Sequence, residues 1–180
     1  MEDKLLVYRL KAGSEDALKR IYEKYENYLF TIAVNLLHDN AAAEDIIQDV
    51  FMKFLKAIDN FKLRKNLKSY LTACTANKAR DLLRKQKNQN SSENLYEKDM
   101  ASNSNNPIQL IMQTEMLKKL AHALRNLPYE QREAVILRQQ ADMKFKAIAV
   151  LQNVSIKTAQ SRYRYGLDKL RSLLNSEVQK

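Results

Sequence analysis

Glycine and proline are almost missing from this chain of 180 residues, which holds two of each (Gly13, Gly166, Pro107, Pro128) and no tryptophan. Sheets are threaded through turns, and turns draw on Gly and Pro, so their scarcity argues against a β-rich fold. The single cysteine, Cys74, excludes an internal disulfide and a cysteine-rich zinc site. Its neighbours Leu71, Ala73 and Ala76 suit a core thiol. His38 and His122 stand apart with no partner at ligand spacing, so no metal and no cofactor is expected. There is no secretory leader and no apolar run of about 18 residues, so a soluble, cytoplasmic protein without membrane insertion is expected.

What is abundant points one way. Leu, Ala, Lys, Glu, Gln and Arg dominate, all good helix formers, and the fold class is read as all-α. The formal net charge is +10 and the pI about 9.6, which suits a polyanionic partner. The distribution of charge says more than the total. Lys62, Arg64, Lys65, Lys68, Lys78, Arg80, Arg84, Lys85 and Lys87 crowd one stretch with only Asp81 among them. Lys144, Lys146, Lys157, Arg162, Arg164, Lys169 and Arg171 form a second cluster, opposed only by Asp168. Two basic patches on either side of a mildly acidic spacer (91–106) suit two footprints on one long nucleic acid.

Periodicity divides the chain. A short amphipathic helix over residues 1–12 closes at Gly13, and Ser14 offers an N-cap for a helix carrying Leu18, Ile21, Tyr22, Tyr25, Leu29, Ile32, Ala33 and Leu36. Asp39-Asn40 breaks the pattern. A third helix runs from about Ala41 to Ile58 with Ile47, Val50, Phe51, Phe54 and Ile58 on one face, and a fourth from Leu67 to Lys87. Residues 1–88 thus read as one domain. Residues 89–106, rich in Asn and Ser and without apolar periodicity, read as a flexible linker. Residues 107–176 read as a second domain: Pro107 opens a helix to about Leu127, Pro128 restarts one to Gln140 with Ala134, Val135 and Ile136 inward, and two more follow near 144–151 and 155–174.

The last two of these helices have the spacing of a helix-turn-helix. Ala149 is small enough for a close crossing, Asn153 tolerates left-handed geometry, Val154 supplies an apolar turn residue and Ser155 a cap. Ala159 then faces inward, while Lys157, Thr158, Gln160, Ser161, Arg164 and Tyr165 form the DNA-facing set. Gln and Arg can pair bidentately with base edges, and Lys and Ser can fix register on phosphates. An ordinary helical hairpin with a solvated basic face is the competing reading.

In the first domain, Asp45, Gln48, Asp49 and Met52 share a stripe opposite the apolar face of their helix. It is either a solvated surface or a dock for a basic helix, since an acidic patch would repel DNA. The next helix and the loop before it (Lys62, Arg64, Lys65, Asn66, Tyr70, Asn77, Lys78, Arg84, Lys85) mix cations, amides and an aromatic ring, a combination suited to single-stranded DNA. Tyr70 fits a core position equally well.

The order of these parts carries a resemblance. Ala43-Glu-Asp-Ile-Ile-Gln-Asp-Val-Phe51, then Tyr70-Leu71 with Asn77 and Asp81-Leu-Leu-Arg84, then Leu127-Pro-Tyr-Glu-Gln-Arg-Glu133 ahead of the helix-turn-helix, resembles the extracytoplasmic function (ECF) group of bacterial sigma-70-type sigma factors. The resemblance implies a sigma-2-like helical bundle and a sigma-4-like domain, and a non-enzymatic factor that directs core RNA polymerase to promoter DNA. It implies that Asp45, Gln48, Asp49 and Met52 dock on the β′ clamp helices. Lys62, Arg64, Lys65, Asn66, Lys68, Asn77, Lys78 and Arg84 would meet the −10 element, and the helix-turn-helix set the −35 element while its domain packs on the β-flap. It also implies an anti-sigma factor as a partner, since family members are often restrained by one. The chain departs from the family pattern at Tyr70 (usually Trp), Asp142 (usually Gly), Ala147 (usually Glu), Gln152 (usually apolar) and Ala159 (usually Val).

Two other function classes compete. A stand-alone helix-turn-helix regulator would bind duplex DNA without polymerase, usually as a dimer, and would leave the acidic stripe and basic loop without work. A nuclease would need a third ligand beside Asp45 and Asp49, and none is evident.

Overall fold

The computed structural model describes residues 2–63, 66–90 and 115–178, with side chains up to Lys87 in the second stretch and over 116–175 in the third. Helices account for all the regular structure among them. In chain order they are α1 (Glu2–Lys11), α2 (Glu15–Leu37), α3 (Asn40–Lys56), α4 (Leu67–Asn90), α5 (Glu115–Arg125), α6 (Tyr129–Gln139), α7 (Phe145–Gln152) and α8 (Ile156–Val178). Internal contacts divide the chain into two units, Met1–Lys98 and Asp99–Lys180. The start expected at Pro107 and most of the expected linker lie outside the described residues. The fourth helix runs on to Asn90, past the point where the linker was expected to begin.

Local chemistry sets the helix ends of the first unit. Gly13, at φ +86, closes α1 with its N–H on Leu10 O, while the Ser14 N–H reaches back to Arg9 O. Ser14 Oγ then accepts from the Ala17 N–H at 3.3 Å to start α2. At the other end His38 takes left-handed geometry (φ 57), and Asp39 Oδ1 accepts from the Ala42 N–H at 3.0 Å to cap α3. The corner between α2 and α3 therefore consists of a C-cap followed directly by an N-cap.

The first unit is built around α2. Ala17, Ile21, Leu29, Ile32, Ala33 and Leu36 are fully buried on it, and α1, α3 and α4 all pack against it. From α1 come Leu6, Val7 and Leu10, from α3 Ile47, Val50, Phe51 and Phe54, and from α4 Leu67, Leu71, Ala76 and Ala79. One ionic cluster fastens α1 to α2: Asp3 accepts from Lys24 Nζ and from the Tyr25 hydroxyl, each at 2.8 Å, and Glu2 accepts from Lys24 at 2.6 Å.

In the second unit α6 is buried nearly all round, from Arg132 through Leu137, the pattern of a central helix. It packs on α7 and α8, and α5 closes on α8. The crossing of α8 over α6 is set by Gly166. A Cβ there would stand 2.8 Å from Val135 Cγ2 and 3.1 Å from Gln131 O, so only glycine fits without displacement.

Two outcomes are expected in denaturation. Gly166→Ala should destabilise the second unit by about 1–3 kcal/mol, as overpacking does, measured in urea. Burial works to raise the Asp3 carboxyl, but its bonds from Lys24 and Tyr25 outweigh that and hold it below its ordinary 3.8. A depressed carboxyl stabilises the fold above its unfolded value and loses that contribution as pH falls through its folded value. Asp3→Asn should therefore cost about 1 kcal/mol at pH 7, the low end for a charged hydrogen bond with a partly exposed partner. The gap to the wild type should close below about pH 3.8 in pH-dependent melts.

Candidate nucleic-acid and protein interfaces

Burial of one face of α3 presents the other. With Ile46, Ile47, Val50, Phe51 and Phe54 inward, Asp45, Gln48, Asp49 and Met52 are all exposed, spaced i, i+3, i+4, i+7 along one stripe. Met52 is 53% exposed and borders a groove between α2 and α3 lined by Leu18, Tyr22, Phe51 and Leu55. The stripe thus combines two carboxylates and an amide with an apolar edge.

The cationic face of α4 adjoins this stripe through one contact: Lys78 Nζ lies 2.6 Å from Asp49 Oδ2. Residues expected to serve polymerase and DNA separately are ion-paired to each other. The pair is exposed, so its own contribution to stability is small. Lys62 and Arg84 are exposed, whereas Arg64 and Lys65 lie outside the described residues. Lys68 Nζ sits 4.0 Å from the centre of the Tyr28 ring, a cation–π contact. Asn77 is exposed, its Oδ1 taking Arg80 Nη1 at 3.3 Å.

Two polar or aromatic positions have local structural work. Asn66 Oδ1 accepts from the Ser69 N–H at 2.6 Å, so this side chain caps the start of α4 and leaves only its Nδ2 to donate outward. Tyr70 is half-buried against Phe61 (ring centres 4.7 Å) and Phe54 (6.1 Å), which themselves meet edge to face. Tyr70 thus borders the core without being enclosed in it, and its ring packs on two others. Burial pushes the Tyr70 phenol up to about 12 and also raises the Cys74 thiol beside it. Cys74 is half-buried rather than fully enclosed.

The helix-turn-helix consists of α7 and α8. Asn153 takes the left-handed conformation at φ 51, and Ser155 Oγ accepts from the Thr158 N–H at 3.0 Å. Ala149 and Ala159 are buried where the helices meet, but Val154 is only half-buried, short of the core insertion expected for it. Lys157, Thr158, Gln160, Arg164 and Tyr165 are exposed on α8 and Ser161 half-exposed. The Arg164 guanidinium lies 5.1 Å from the Tyr165 ring centre, within cation–π range. Asp142 has φ 48, a left-handed corner where glycine is the easier residue and Asp one of the few that follow it.

Arg162, part of the second basic cluster in the sequence, does not join this face. Its Nη1 donates to Gln152 Oε1 at 3.0 Å, and Gln152 Nε2 in turn donates to the fully buried Glu133 at 2.9 Å. Glu133 and Arg132 are charged groups that the apolar pattern of α6 does not reveal. Gln152 at an apolar position was the one signal in the sequence that a polar partner lay beneath. Among the described residues no three His, Cys, Asp or Glu side chains come together as a metal site. No helix there is long and apolar enough to cross a membrane.

Comparison with known proteins bears on both units. Sigma-70 region 2 matches residues 21–89, and Sigma-70 region 4 matches residues 117–170. The RNA polymerase sigma factor CarQ of Myxococcus xanthus is 25% identical over 170 residues, covering 92% of this chain and 94% of its own. The ECF RNA polymerase sigma-E factor of Escherichia coli K12 is 22% identical, covering 99% and 95%. The sigma factor RpoE of Bartonella quintana, solved with the anti-sigma factor NepR, superposes with a TM-score of 0.68 at 25% identity, over 87% of this chain and 98% of that one. CnrH, solved with the cytosolic domain of CnrY, also gives 0.68, at 21% identity over 98% and 99%, a likeness of fold. A stand-alone regulator would leave the region 2 match without explanation. With both regions present in order, the chain belongs to the sigma-70 family, in its extracytoplasmic function group, as an RNA polymerase sigma factor.

Proposed function

We propose a division of labour between the units. The first, corresponding to the domain read at 1–88, docks on core RNA polymerase through Asp45, Gln48, Asp49 and Met52, the acidic stripe meeting the β′ clamp helices. It holds the −10 element with the cations and amides of α4 and the preceding loop: Lys62, Arg64, Lys65, Asn66, Lys68, Asn77, Lys78 and Arg84. The second, read at 107–176, packs on the β-flap and reads the −35 element as duplex through Lys157, Thr158, Gln160, Ser161, Arg164 and Tyr165. The observation that carries this reading is the stripe on α3: four side chains in helical register, all exposed, on the back of a helix whose other face lies in the core.

The chain supplies promoter choice, and RNA synthesis remains the work of the polymerase in the cytoplasm. Two modest DNA contacts mounted on one enzyme reinforce each other through effective concentration, so neither needs to be tight alone. The Bartonella quintana factor was solved with an anti-sigma factor, which supports a partner of that kind here, covering the same surfaces.

Core polymerase plus this protein should initiate at discrete promoters in run-off transcription of genomic templates, while the protein alone binds DNA weakly. No polymerase-dependent start on any template would sink the reading. Asp45→Lys should weaken core-polymerase binding by about tenfold or more through like-charge repulsion, with duplex binding by the second unit unchanged. It is a cleaner test than Asp49→Lys, which would also set a cation against Lys78. Arg164→Ala should do the reverse: lose about 1–3 kcal/mol of −35 discrimination and leave core binding intact. If titrations show both variants failing at the same step, the faces are misassigned.

A further inference from the structure

The outward residues of α8 can read DNA only if the helix is held at one rotation and one height over α6 and α7. Its inner stripe is unusual for that purpose. Ala159 and Gly166 are buried small residues, and between them, at i+3, stands Arg162, a cation on the packed side of the helix. Beneath it on α6 is Glu133, a carboxylate with no exposure. The amide of Gln152, the last residue of α7, bonds to both charged groups.

That amide makes three hydrogen bonds. Nε2 donates to Glu133 Oε2 at 2.9 Å and to the Glu130 carbonyl at 2.9 Å, and Oε1 accepts from Arg162 Nη1 at 3.0 Å. Tyr129, at the start of α6, donates its hydroxyl to Glu133 Oε1 at 3.1 Å. The amide has one orientation only, because a flip would turn its oxygen onto the carboxylate and its NH2 onto the guanidinium. No other side chain of similar reach does the same. A carboxylate accepts from Arg162 but opposes Glu133, a lysine does the opposite, and leucine links neither. Buried groups left half-satisfied in this way are costly, so the relay selects one arrangement of three helices.

The geometry points to Gln152 as a positioning residue for −35 recognition: its amide relays the buried Glu133 of α6 to Arg162 of α8 and so fixes the recognition helix in its reading pose. Gln152 itself touches no DNA in this role, and Arg162 is withheld from the phosphates. The inference rests on the reading of α8 as the −35 helix. It accounts for the departure of position 152 from its usual apolar character, since an amide here replaces apolar packing with a two-sided charge link.

The test is a swap. In Gln152→Glu two acceptors face each other at the centre of the relay. The double variant Glu133→Gln with Gln152→Glu moves the amide to α6 and the carboxylate to α7, restoring a donor between the two positions and an ion pair with Arg162. The bond to the Glu130 carbonyl stays lost, and so does the Glu133 charge that favours the buried Arg132 guanidinium. Two measurements on the full chain follow it: hydrogen exchange of the α8 amides over 156–166 in the free protein, and holoenzyme transcription from a promoter with single-base −35 changes. Gln152→Glu should speed exchange by about tenfold and flatten the −35 discrimination by a similar factor, with core binding unchanged. The double variant should return both to within about threefold of wild type, and Gln152→Leu should behave like Gln152→Glu though milder.

The proposal is overturned if the double variant is no better than Gln152→Glu, if Gln152→Leu matches wild type in both measurements, or if exchange changes while −35 discrimination does not in a protein where Arg164→Ala abolishes it. Arg164→Ala separates the two levels. Should it leave −35 discrimination untouched, the reading of α8 fails, and the exchange measurements alone still show whether the relay holds the helix.

Discussion

The rotation of α3 about its own axis is the constraint on which the first unit's surfaces depend. Ile47, Val50, Phe51 and Phe54 can be buried against α2 and α4 in one orientation only, and at 3.6 residues per turn that orientation sends positions 45, 48, 49 and 52 outward together. The two caps at the α2–α3 corner, a left-handed His38 followed by the Asp39 side chain, hold the start of α3 to the same setting. An exposed stripe of this kind needs no stabilisation of its own. It is the back of a core helix, and its composition is free to answer to a partner.

The second unit solves the same problem with different materials. Its central helix, α6, carries Arg132 and Glu133 inside, and α8 carries Arg162 on the packed side. Apolar burial fixes where the helices meet, but it is tolerant of small rotations. Hydrogen bonds to buried charges are not, because a displacement of an ångström leaves a group unpaired. The stretch of α8 that presents Lys157, Gln160 and Arg164 is thus supported from beneath by directional bonds.

Much of this was legible in the sequence, for a physical reason. Helix ends are local: Gly13, Ser14, Asn153 and Ser155 have roles that follow from residue type and spacing, while Asp39 reads only as a break and its capping bond appears in the structure. The inward faces of α2 and α3 follow from periodicity alone. What could not be read are contacts between residues far apart in the chain. The pairing of Asp49 with Lys78, 29 positions on, joins two stripes that the sequence presents as separate. Asn66 reads as a polar group in a basic loop, and only the backbone path shows that its oxygen is taken by α4. Glu133 looks solvated on any helical wheel until Gln152 and Tyr129 are seen above it.

The close crossing at Gly166 has a consequence for how this domain can vary. The space that a Cβ would need is already filled by a methyl group of Val135, so the two positions share a single volume across the α6–α8 contact. A side chain can appear at 166 only as one shrinks at 135, and the carbonyl of Gln131 limits how far even that exchange can go. Substitutions at these two sites are therefore coupled, and a chain that acquires the first without the second must shift α8 or Val135 locally to make room.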